Sequence, residues 1–104
     1  MTTQLTTETF AKAIQDGVSL IDFGAQWCPP CRMMEPVVEE LSKDFDGKAT
    51  IAQVDVEQSQ DLANLFGIRS IPTMVIFKDG KPVDALVGVH PKQTLMEKIQ
   101  AQLS

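Results

Sequence analysis

A chain of 104 residues with 43% hydrophobic and 22% charged residues is expected to form one domain, spanning 1–104, and is too apolar to be disordered. Its formal net charge of −5 argues against nucleic acid as a partner, because phosphate binding needs clustered Lys and Arg. No apolar run approaches the roughly 20 residues that span a bilayer, and the start, Met1-Thr2-Thr3-Gln4-Leu5, has neither the basic nor the apolar segment of a secretory leader, so a cytoplasmic chain with no membrane contact is expected.

Leu5 is placed in a short first strand. Thr7 or Thr6 caps a helix whose apolar stripe is Phe10, Ala13 and Ile14, with Gly17 as its stop. Val18 to Phe23 is apolar on both faces except at Asp22, the pattern of a central strand covered on both sides. After two cysteines, Met34, Val37, Val38, Leu41 and Phe45 recur at helical spacing, with Glu35, Glu39, Glu40, Lys43 and Asp44 on the other face. Pro36 falls inside this helix, where proline bends the axis, and Gly47 ends it. Thr50 to Val56 is a further strand, followed by a short helix with Leu62, Leu65 and Phe66, closed by Gly67. Thr73 to Phe77 and Val83 to Val87 flank Lys78-Asp79-Gly80-Lys81, and Asp-Gly between apolar runs signals a hairpin whose second strand, beginning near Pro82, lies at an edge. The last helix starts at Pro91 and buries Leu95, Met96, Ile99 and Leu103. The order β-α-β-α-β-α-β-β-α predicts an α/β fold: a mixed central sheet of three parallel strands and a C-terminal hairpin, with helices on both faces.

The chemistry gathers in Trp27-Cys28-Pro29-Pro30-Cys31, where the central strand turns into the long helix. Proline is tolerated in a first helical turn, so Cys28 falls at or near the N-cap and Cys31 about one turn inside. Residues three apart on a helix have Cβ atoms about 5–6 Å apart, so a small adjustment lets these sulfurs bond or separate. A loop this short constrains little unfolded-chain entropy and makes a poor structural staple. The positive end of the helix favours a thiolate at the same place. Pro29 and Pro30 lack N–H groups, which leaves the Cys31 amide as the first donor able to face the Cys28 sulfur. A zinc half-site and inert thiols are the rival readings. Zinc usually takes four ligands, and the only other soft one, His90, lies far along the chain. Asp22 shares a strand face with Val18 and Leu20; a buried, unpartnered carboxylate there titrates above its ordinary range, whereas a strand-end carboxylate with ordinary partners does not.

With Asp22-Phe23 before Trp27-Cys28-x-Pro30-Cys31-Arg32, Pro36 in the helix, Gly67-Ile68-Arg69-Ser70-Ile71-Pro72-Thr73, Phe77-Lys78-Asp79-Gly80 and Val87-Gly88, the chain from Leu5 to Leu103 resembles the thioredoxin family. The resemblance implies the thioredoxin fold and the reduction of protein disulfides. It implies Cys28 as attacking thiolate, Cys31 as resolving thiol, and Asp22 as the buried carboxylate handling the Cys31 proton. Most X–Pro bonds are trans, but the resemblance implies a cis bond before Pro72, packed against the disulfide, with Ile71 offering backbone hydrogen bonds to substrate. Trp27, Ile71, Pro72, Gly88 and Val89 would form an apolar docking surface. The implied protein is a monomer with no bound cofactor or metal, served by thioredoxin reductase and ultimately NADPH, and acting on oxidised proteins. Three positions depart from the family's commonest pattern: Pro29 where glycine is usual, Gly24 where a second tryptophan is common, and Gln53 where a lysine often lies beside the buried aspartate. A disulfide oxidase or isomerase on the same fold, and a binding module with incidental thiols, are the competing functions.

Overall fold

The computed structural model describes residues 2–104. Among the described residues five strands and four helices follow in the order β1 (Thr3–Leu5), α1 (Thr7–Ala13), β2 (Val18–Gly24), α2 (Pro29–Asp44), β3 (Thr50–Asp55), α3 (Gln60–Leu65), β4 (Thr73–Lys78), β5 (Lys81–Val87) and α4 (Lys92–Leu103). The sheet order is β1-β3-β2-β4-β5. β1 and β2 both run parallel to β3, and β4 and β5 add antiparallel partners beyond β2. This is the mixed sheet expected from the chain order, with β2 at its centre.

Alternation along β2 feeds two cores, because successive side chains of a strand point to opposite faces. Val18 and Leu20 join Met34, Val38 and Leu41 of α2 and Leu95 and Ile99 of α4. Ile21 and Phe23 join Phe10 and Ile14 beside α1, Leu62 of α3, and Val54 and Phe77. In this second core Phe10, Phe23, Phe66 and Phe77 meet with ring centroids 5.1 to 6.3 Å apart, tilted or edge-on as aromatic quadrupoles prefer.

Several boundaries differ from the sequence reading. Of the two caps expected for α1, Thr6 takes the position, and its amide donates to Thr9 Oγ1 at 2.9 Å. That helix ends at Ala13, and Gly17 (φ +71°) instead makes the turn into β2. β3 stops at Asp55, one residue short of the expected Val56, although the Val56 amide still bonds the Gly24 carbonyl at 2.9 Å. Pro91 is the N-cap of α4 and not its first helical residue. α2 runs on through Pro36, whose missing N–H leaves the Arg32 carbonyl without its usual helical donor. Leu65 and Leu103, both placed on buried stripes, are 72% and 41% exposed. At the end of α3 the inward position belongs to Phe66, which packs against Phe10, Phe23 and Phe77 while Leu65 faces outward; Leu103 sits in the last turn of α4. Among the described residues no helix is long and apolar enough to cross a membrane.

Candidate active site

β2 ends at Gly24, and Ala25-Gln26-Trp27 carries the chain into α2. Cys28 takes the N-cap position with extended backbone (φ −88°, ψ 110°), and Pro29 and Pro30 occupy the first helical positions, where no N–H is needed. The Cys31 amide therefore becomes the donor to Cys28 Sγ, at 3.3 Å, as the two prolines require. Cys28 and Cys31 are joined as a disulfide with Cα atoms 5.2 Å apart. Both are buried, in a small cluster with Ala25 against which Val56 and Ile71 pack.

The loop before β4 closes over the sulfurs. The Ile71–Pro72 peptide is cis, as the resemblance implied, and the Ile71 carbonyl oxygen lies 3.9 Å from Cys28 Sγ. Pro72 is buried, and its carbonyl accepts the Gly88 amide at 2.8 Å, which fixes the turn after β5 beside the cis-proline loop. Gly88 has φ +88°, a conformation that disfavours a side chain. Trp27 and Val89 stand out at 64% and 49% exposure, beside the two half-buried positions Ile71 and Gly88. Trp27 is thus a surface residue and not part of a core. His90 bonds the Val87 carbonyl at 2.9 Å through Nε2. Among the described residues no cluster of three or more His, Cys, Asp or Glu could hold a metal.

Asp22 is the buried charge of the site, only 3% exposed. Burial raises its pKa from 3.8 to about 6; a hydrogen bond from Gln53 opposes the rise, and the charge of Glu35 adds to it. Gln53 Nε2 donates to Asp22 Oδ2 at 3.1 Å, while Oδ1 has no hydrogen-bond partner. Gly24 shapes the space beside that oxygen. A Cβ at this position would lie 3.2 Å from Cys31 Sγ and 3.8 Å from Asp22 Oδ1, so the missing side chain keeps open the gap between thiol and carboxylate. The gap belongs to a cavity of about 440 Å³ whose walls include Gln4, Asp22, Cys31, Glu35 and Gln53. Glycine at position 24 therefore leaves space open behind the active site.

Gln4 and Glu35 are site residues that the sequence reading missed. Glu35 lies on the polar face of α2 in the sequence pattern, and only the packing of α2 over β2 brings its charge near Asp22. Gln4 reaches the site through the pairing of β1 with β3, which no pattern within a single strand reveals.

The comparisons with known proteins agree with this geometry. The family model described as Thioredoxin matches residues 1–101. The chain is 49% identical to a thioredoxin of Staphylococcus saprophyticus and 48% identical to one of Staphylococcus haemolyticus, in each case over 100 residues covering 96% of both chains. Among solved structures it is similar to a mutant thioredoxin from Halobacterium salinarum, with a TM-score of 0.91 and 36% identity, covering 98% of this chain and 90% of that one.

Proposed function

The chain belongs to the thioredoxin family and is a thiol–disulfide oxidoreductase that reduces disulfides; from that premise we propose that Cys28 is its nucleophile, Cys31 its resolving thiol and Asp22 its buried proton acceptor. The observation that carries this assignment is the joined Cys pair at the start of α2 with the unpartnered Asp22 Oδ1 facing the gap beside Cys31 Sγ.

In the reduced protein the Cys28 thiolate attacks one sulfur of a substrate disulfide. The substrate bond breaks, one substrate thiolate leaves, and a mixed disulfide to Cys28 forms. Cys31 then gives its proton to the Asp22 carboxylate and attacks Cys28 Sγ. The second substrate thiolate leaves, and the Cys28–Cys31 disulfide remains. Two electrons have passed to the substrate. The thiolate is required because only it attacks, and a carboxylate with a pKa of about 6 takes and returns a proton near neutrality at little cost. Helix α2 assists Cys28 through its positive end and through the Cys31 amide.

Oxidised proteins are the proposed substrates. Extended segments would dock on Trp27, Ile71, Pro72, Gly88 and Val89, where apolar side chains and the backbone of the cis-proline loop lie beside the active-site turn Trp27-Cys28-Pro29-Pro30. Family members need no bound cofactor. Reducing equivalents are proposed to come from NADPH through thioredoxin reductase, with the protein acting as a cytoplasmic monomer of one domain.

Two measurements test the reading. Cys28→Ser abolishes disulfide reduction, whereas Cys31→Ser accumulates the mixed disulfide; a Cys28→Ser variant that still reduces substrate refutes the assignment. Equilibration against thiol–disulfide buffers places the pair near roughly −270 mV, the value known for thioredoxins themselves, and far from the roughly −120 mV of the strong periplasmic oxidant DsbA. A potential close to the second figure makes the protein an oxidant or isomerase and Pro29 the residue to revert to glycine.

A further inference from the structure

Register places Gln4, Gln53, Asp22, Met74 and Leu86 in one row across β1, β3, β2, β4 and β5. Its apolar half, Met74 and Leu86, belongs to the core beneath α2 and α4. Its polar half runs from the exposed Gln4 to the buried Asp22 and is linked by hydrogen bonds. Gln4 Nε2 donates to Gln53 Oε1 at 2.6 Å, and Gln53 Nε2 donates to Asp22 Oδ2 at 3.1 Å. An amide has one accepting end and one donating end. With Oε1 engaged by Gln4, Gln53 turns its donors toward the carboxylate.

We propose that Gln4 is a positioning residue: through Gln53 it commits Asp22 Oδ2 to a fixed hydrogen bond and leaves Oδ1, which borders the gap beside Cys31, as the oxygen that exchanges the proton. This rests on the reading of Asp22 as proton acceptor. The arrangement replaces the ammonium that often stands beside this aspartate with a neutral relay that ends in solvent. When Asp22 is protonated, Gln53 gains by turning over, since Oε1 can then accept from the carboxyl. Gln4 opposes that turn, because the hydrogen bond it donates to Gln53 Oε1 is then lost unless its own amide turns over as well. Gln4 therefore favours the ionised form of Asp22 without adding charge.

The other groups around Asp22 do not supply this effect. α2 presents Glu35, whose charge pushes the same carboxyl up, and the Cys31 sulfur, with Cys28 at the cap. Asp55 at the end of β3 shares the cavity. β4 and α4 contribute Met74, Leu95 and Ile99 to the core on this face, none of them ionisable.

A double-mutant cycle tests the proposal, read by NMR titration of the Asp22 carboxyl in the oxidised full-length protein. Gln4→Leu is expected to raise the Asp22 midpoint by roughly 0.4–1 unit, the equivalent of one net hydrogen bond. In a Gln53→Leu background the same change is expected to do nothing, because the relay is already cut. The pH profile of the Cys31 resolving step is expected to move with the midpoint. An unchanged midpoint in Gln4→Leu, or an equal shift in the Gln53→Leu background, overturns the proposal, the second result marking a general structural effect. A midpoint that moves in Gln4→Leu alone while the kinetic profile stays put upholds the positioning by Gln4 and refutes the proton-acceptor reading of Asp22.

Discussion

Between pH 3.8 and about 6 the folded chain holds a proton at Asp22 that the unfolded chain has already released. Folding stability therefore falls as pH rises through that window, and the loss is complete once the folded carboxyl has ionised. At about 1.4 kcal/mol per unit, the ionised, buried Asp22 costs the fold about 3 kcal/mol at neutral pH. Asp22→Asn keeps the shape and removes the charge. It is expected to raise stability by up to about 3 kcal/mol at pH 8 and to leave it little changed near pH 3.5, where Asp22 is mostly protonated in both states. The denaturation midpoint measured at the two pH values checks this. The same variant is expected to slow the resolving step, seen as a longer-lived mixed disulfide. A stability gain without that slowing would separate the buried charge from the chemistry. The upward shift itself was legible in the sequence, since an apolar strand with one carboxylate forces burial on it. The remedy in Gln53 was not: in place of a bare absence of ammonium, the structure shows an amide that partly satisfies the charge.

At the level of elements, α2 joins the reactive turn to the core. Cys31, Met34, Val38 and Leu41 are its buried residues, and they follow one another at the three- and four-residue steps of a single helical stripe. The position of Cys31 is thus set by how the rest of the stripe packs on β2 and α4. Leu41 is wholly buried in that core. Leu41→Ala is expected to cost about 2–5 kcal/mol through lost contacts and a residual cavity. Ten residues of helix, about 15 Å, separate it from Cys31. Chemical denaturation should show the lower stability, while the rate of disulfide reduction by the folded protein at 25 °C should match the parent. A matching loss of rate would mean that the far end of α2 holds the thiols in place. This helix was legible from its apolar stripe, Met34 to Leu41, and its start even more so, because proline tolerance and N-cap chemistry are local rules. The ends of α3 and α4 were not. Leu65 and Leu103 both fit the helical period, but period alone does not choose between the neighbours Leu65 and Phe66, of which only Phe66 joins the phenylalanine cluster.

Across the whole molecule, the element order disclosed the topology: right-handed crossovers and one Asp-Gly hairpin leave few sheets to choose from. Register stayed hidden, because pairings such as Gln4 with Gln53 join residues far apart in the chain. The sheet keeps its chemistry at one end and a fastening at the other. β2 is seven residues long, so about 20 Å separates the turn that precedes it from the active-site turn that follows it. At the distal end Asp79 Oδ1 accepts the Gly17 amide at 2.8 Å, and the Asp79 amide donates to the Gly17 carbonyl at 2.9 Å. This pair ties the entry to β2 to the β4–β5 hairpin. Asp79 also sits at φ +50°, a conformation that Asp and Asn tolerate better than other side chains. Asp79→Ala loses both the acceptor and that tolerance, and is expected to cost about 1–2 kcal/mol. In a chain of this size each kcal/mol lowers the melting temperature by about 4–8 °C. Asp79→Asn keeps an oxygen acceptor and the backbone preference, so its melting temperature should stay near that of the parent. Neither variant should alter the reduction potential of Cys28–Cys31, since the strand between the two ends is paired on both sides along its length. If Asn proves as harmful as Ala, the charge of Asp79 rather than its hydrogen bond fastens the distal end. If the potential shifts as well, β2 transmits strain from its first residue to the active-site turn.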